Sequence, residues 1–148
     1  MTSATKPIHE ATLWGETLRF FRSPLGGGRP DFPWFAVDDL QRCLGMSREE
    51  REYFLPAMQK MNADFSNPLQ TVATPDGPVV IAPHYVAQAL IEAWQELGKE
   101  SARAVMDYVR AGKPVLDQLT GDLPAAAAFD WVMAAAMRWR ELDATPTD

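Results

Sequence analysis

Short runs of β-branched and aromatic residues mark the first 82 positions, whereas apolar residues three and four apart dominate the remainder. Thr12 to Arg22 has strand character through Leu13, Leu18, Phe20 and Phe21, and Gly15-Glu16 can turn or bulge between two short runs. Trp34, Phe35 and Val37 predict a second, half-buried strand. Asp38 or Asp39 can cap a short helix with Leu40, Cys43 and Leu44 on one face, and Gly45 supplies the left-handed residue that ends it. Ser47 with Glu50 forms the capping box of the next helix. Tyr53, Phe54, Ala57, Met58 and Met61 give that helix an apolar side, and Pro56 predicts a kink or restart near Leu55. After a connection from Asn62 to Pro68, β-branched runs flank Pro75-Asp76-Gly77, the strongest hairpin signal in the chain, with Pro78 suited to an edge or a non-bonded ladder position.

From Pro83 onward the period is helical. One helix runs to about Leu97 and stops at Gly98; another spans about Lys99 to Ala111, ended by Gly112 and Pro114, with a further turn at Val115 to Leu119. The last predicted helix, Pro124 to about Leu142, has two apolar stripes. Phe129, Val132, Met133, Ala136 and Met137 form one, and Trp131, Ala135, Trp139 and Leu142 the other. One stripe suffices to pack on the parent domain, so the second predicts a homodimer, its interface drawn from Phe129, Trp131, Met133, Met137 and Trp139. The pattern as a whole reads as an α+β fold. Residues 1–11 form a flexible lead-in, 12–97 a domain of small antiparallel hairpins, 98–142 a C-terminal helical extension that brings the helices to about five, and 143–148 a loose tail.

Charge narrows the partners. Residues 1–60 carry eight Lys/Arg and eight Asp/Glu, residues 61–148 six and twelve, so the net charge of −6 belongs to the second part. Acidic chains bind nucleic acid poorly, because affinity comes from cations displacing counterions on phosphate, and any DNA contact must be local. Arg42, Arg48, Arg51 and Lys60, with Arg19 and Arg22 on the strands, are the candidate DNA- or partner-binding residues. The single cysteine, Cys43, excludes an internal disulfide, and no signal segment or membrane-spanning run is present, which together predict a cytoplasmic protein with no membrane partner.

Catalytic chemistry has few carriers. His9 and His84 lie far apart, no His/Cys set has metal spacing, Cys43 falls on the apolar side of its helix, and the adjacent Asp38 and Asp39 point in different directions. Gly26 to Gly28 lacks both the Gly-Lys-Ser/Thr ending and the GxGxxG spacing of phosphate loops. The expectation is a protein without enzymatic activity, metal or small-molecule cofactor.

Leu40, Leu44, Gly45, Met46 and Ser47 permit a helix–turn–helix, although the three glutamates after Ser47 disfavour DNA. Pro33-Trp34-Phe35-Ala36-Val37-Asp38-Asp39-Leu40 followed by Leu44-Gly45 resembles the N-terminal domain of phage antirepressors and baculoviral Bro proteins, the Bro-N family, over roughly residues 12–95. In that family a strand ending Pro-Trp-Phe enters a short helix ending Leu-Gly, and a later hairpin, here Thr71 to Ile81, leads into a helix comparable to His84–Trp94. The resemblance implies a regulator of phage or mobile-element origin that binds DNA or a repressor, with residues 32–54 as the contact region. The Gly26–Gly28 tip, the low basic content and the alanine-rich ending depart from the family pattern. A protein-binding inhibitor is the alternative. It would present acidic residues such as Asp107, Asp117 and Asp122 to the basic surface of a host defence or nucleic-acid-binding complex.

Overall fold

The computed structural model describes residues 4–25, 30–64, 68–98 and 103–137. Its centre is a five-stranded sheet of β1 (His9–Leu13), β2 (Glu16–Phe21), β3 (Trp34–Ala36), β4 (Gln70–Thr74) and β5 (Gly77–Ala82), in the order β1-β2-β3-β5-β4 with every pair antiparallel. The α+β expectation holds: five helices accompany the sheet, α1 (Val37–Cys43), α2 (Arg48–Asp64), α3 (His84–Glu96), α4 (Ala104–Thr120) and α5 (Ala125–Ala136).

Successive strand residues point to opposite faces, and at the centre of the sheet both faces are buried, whereas the edge strands β1 and β4 alternate with exposed residues. Leu18, Phe20, Phe35 and Ala82 join the main core with Leu40 of α1, Ile91 and Trp94 of α3 and Tyr108 and Val115 of α4. Phe21, Trp34, Ala36, Val79 and Ile81 form a second cluster, against which Leu25 packs. The doubled aromatics Phe20-Phe21 and Trp34-Phe35 therefore serve two layers, as a strand buried on both sides requires. The segment before β1 crosses to the far edge strand, where the Thr5 N–H donates to the Ala73 carbonyl at 2.6 Å.

The structure moves several predicted boundaries. β1 begins at His9, within the predicted lead-in, and the first turn is Trp14-Gly15 rather than Gly15-Glu16. Both turn residues have positive φ, +50° at Trp14 and +83° at Gly15, as a two-residue turn that matches strand twist demands. The left-handed conformation costs a tryptophan about 1–2 kcal/mol; its indole N–H donates to Asp107 of α4 at 3.0 Å and ties the turn to the helical layer. Pro78 lies on interior strand β5, beyond the reach of the three-residue β3, whose partners there are Ile81 and Ala82.

α4 continues through Gly112 and Pro114, where the sequence pattern predicts its end, and α2 continues through Pro56 rather than restarting there. Both prolines are exposed, and the carbonyls they leave unpaired belong to the exposed Glu52 and Arg110, where water can replace the missing donor. α2 likewise extends over Asn62 to Asp64, and the Asn62 side chain accepts the Leu69 N–H at 2.8 Å. α5 is described to Ala136, so the predicted end of that helix and Trp139 lie outside the described residues. No helix among the described residues is long and apolar enough to cross a membrane.

Candidate functional site

Residues 32–54 hold two helices of opposite character. α1 is short and sealed: Val37, Asp39, Leu40, Gln41 and Cys43 are buried. It ends as predicted, Gly45 having φ +72°, with the Gly45 N–H on the Arg42 carbonyl and the Met46 N–H on that of Gln41, the paired bonds of a Schellman cap. Its start differs from expectation. Ala36 occupies the N-cap with no side-chain bond, and neither Asp38 nor Asp39 caps.

Asp39 turns inward instead. Only 1% exposed, it accepts the Arg19 backbone N–H (2.9 Å), Arg19 Nε (2.8 Å), Arg19 Nη2 (3.0 Å) and Arg42 Nη2 (2.6 Å). Burial pushes the Asp39 carboxyl up, but these donors outweigh it and hold the group below its ordinary value; the same bonds raise Arg19. Arg42 also lies 3.9 Å from Glu16. The surrounding basin, about 430 Å3, sets Glu16, Asp39 and Asp76 against Arg19 and Arg42, so its charge does not favour a phosphate.

α2 is the exposed counterpart. The Ser47 hydroxyl accepts the Glu50 N–H at 3.1 Å and Glu50 Oε1 accepts the Ser47 N–H at 3.0 Å, the capping box read from the sequence. None of its 17 residues is buried; Phe54, Met58 and Met61 lean on the core, Phe54 reaching Trp94 at 5.8 Å between ring centres, while Tyr53 (76%) and Leu55 (50%) face outward.

The predicted binding residues are thus divided. Arg19 and Arg42 converge on Asp39. Arg48 pairs with Glu52 at 3.3 Å and Lys60 with Asp64 at 3.0 Å. Arg51 is half-buried with its Nε unpartnered, and Arg22 is exposed at the end of β2. Lys60 sits about 18 Å along the axis from Arg48 at 1.5 Å per residue. Across α2, three basic residues meet four acidic ones. Of the acidic candidates, Asp107 bonds Trp14 and lies 4.0 Å from Arg110, and Asp117 pairs with Lys113 at 2.9 Å, leaving Asp122 exposed.

On α5, Trp131 faces inward, its ring 6.4 Å from that of Phe32, rather than joining the predicted interface, and Ala135 is buried. Phe129 (64% exposed), Met133 (48%) and Met137 (42%) form an outward stripe at i, i+4, i+8. Cys43 is buried with its thiol pushed up by burial to about 11, which fits the reading of a small core hydrophobe. Among the described residues no three His, Cys, Asp or Glu side chains converge on a metal site.

The sequence reading missed an apolar cavity of about 520 Å3 between α3, α4, α5 and the segment entering β3. His84 lines it, its ring 4.6 Å from Phe32, its Nδ1 buried without a partner and its pKa lowered by burial against a smaller opposing effect of Asp31. Phe20 of β2 also lines the cavity, and no periodic signal announces a void bounded by five separate segments. No family model matches the chain, and no curated protein or solved structure matches it significantly.

Proposed function

We propose that this chain is a non-enzymatic regulator of the antirepressor type, of phage or mobile-element origin, that binds a repressor protein through α2 and forms a homodimer through α5. The carrying observation is that α2 projects Tyr53 and Leu55 into solvent while no residue of the helix is buried. Two positions apart, the two side chains flank the core-facing Phe54 on opposite sides, so a partner that straddles α2 would take both. A protein partner is preferred to DNA because Arg19 and Arg42 are committed to Asp39, and the four acidic residues of α2 outnumber its three basic ones. Tyrosine is also enriched at the points that dominate protein interfaces.

The test is a reporter strain carrying phage-type repressors one at a time, with the chain co-expressed. Derepression of at least one reporter is expected, falling at least tenfold in Tyr53→Ala/Leu55→Ala and changing little in Arg48→Gln. Fluorescence anisotropy with duplex operators at 50 mM salt is expected to show no binding at micromolar protein. Tight, steeply salt-dependent binding there, lost with Arg48→Gln, would move the assignment to DNA. Sedimentation should give a dimer that Met133→Lys dissociates, and a monomer at micromolar concentration removes the dimer.

A further inference from the structure

The cavity beneath α5 has the size of a small-molecule site, such sites spanning about 300–1,000 Å3. Its walls are apolar, with Phe32 on one side, Tyr108 and Leu116 on α4 and Val132 on α5. Among the described residues the charged groups on its lining are Arg110 and Lys113, and none is a carboxylate. Three residues apart on α4, the two cations project from the same side of the helix. Their acidic neighbours hold them loosely: Asp107 is 4.0 Å from Arg110, and the Lys113–Asp117 pair is exposed on both sides. The buried, unpartnered Nδ1 of His84 marks the same wall as incompletely satisfied.

We propose that this cavity binds an anionic amphiphile, an aliphatic or aromatic body bearing one carboxylate or sulfonate. The body lies between Phe32 and Val132 and the head between Arg110 and Lys113. Occupancy covers the inner face of α5, so the ligand joins that helix to the domain. This site is separate from α2 and stands whether or not α2 binds a repressor.

The experiment titrates the full chain with 8-anilinonaphthalene-1-sulfonate, followed by fluorescence and by amide exchange. One saturable site is expected, displaced by decanoate and at least tenfold less well by decanol, with slowed exchange in α5. Gly112→Leu is the filling variant. A Cβ there meets Phe20 only at 3.6 Å, an ordinary contact, so the larger side chain extends into the void, and leucine favours the helix more than glycine does. It should weaken the dye at least tenfold. Val132→Trp fills the cavity from the opposite wall and serves if the first variant misfolds. Arg110→Gln/Lys113→Gln should abolish the preference for decanoate, whereas Ala126→Ser, at an exposed position of α5 outside both the cavity and the dimer stripe, should leave binding unchanged. Dye binding that resists both filling variants, fails to saturate, or disappears with Ala126→Ser overturns the proposal. Equal displacement by decanol and decanoate overturns the anionic head.

Discussion

α1 and α2 are joined by Leu44 to Ser47, yet they are stabilised in different ways. α1 has seven residues, five of them buried, and lacks a side-chain N-cap; it exists because Leu40 enters the core and Asp39 receives Arg19 and Arg42. α2 has 17 residues and none buried; it is held by a capping box, by the pairs Arg48–Glu52 and Lys60–Asp64, and by a few leaning apolar side chains. A helix as short as α1 cannot survive on local propensity, whereas a long one with its own caps can leave a face unspent. Exposed large apolar side chains are therefore found on α2 and not on α1.

Substitutions sharpen this contrast in descending order. Leu40→Ala should cost about 2–5 kcal/mol in urea denaturation by leaving a void in the core. A cost below about 1 kcal/mol would put α1 outside the cooperative unit.

Asp39→Asn should cost about 2–3 kcal/mol, the range for hydrogen bonds to charged groups, with partly exposed Arg19 limiting the loss. The sign with pH follows from the lowered carboxyl. Its folded pKa lies below the unfolded value of about 3.9, so the stabilisation is complete above about pH 5 and disappears as pH falls through the folded value. Urea midpoints of Asp39→Asn and the parent should therefore converge in acid. Parallel curves from pH 7 to 2 would mean that Asp39 contributes no charge-dependent stability.

Ser47→Ala removes one acceptor at the start of α2 and should cost about 1 kcal/mol. Amide exchange should quicken in the first turns of α2 and leave the sheet unchanged. Tyr53→Ala should alter stability by less than about 0.5 kcal/mol, as expected for an exposed surface position. A larger loss would show that this face of α2 already has a partner within the chain.

Legibility in the sequence divides along similar lines. The Gly45 cap, the Ser47–Glu50 box and the Pro75-Asp76-Gly77 turn were all readable because each depends on residues within six positions of one another. The first hairpin's turn was misplaced by one residue, because a tryptophan at positive φ has no local signature and is held by Asp107, 93 positions away. Pro114 does not end α4 for a related reason: only the folded surface reveals that the carbonyl it frees lies on the exposed Arg110. At the candidate site the arginines were visible as residues, but their commitment was not, since Asp39 reads locally as a cap and becomes an acceptor only when β2 passes beside α1.

The sequence by itself determined the element types, the helix boundaries at Gly45, Ser47 and Gly98, and the uneven charge, because backbone preference and capping act over one or two turns. Tertiary structure decided that Asp39 pairs with two arginines, that Tyr53 and Leu55 of α2 stay exposed, and that five segments line an apolar cavity. Those outcomes depend on distances between residues remote in the chain, which are set when the centre of the two-faced sheet is buried on both sides.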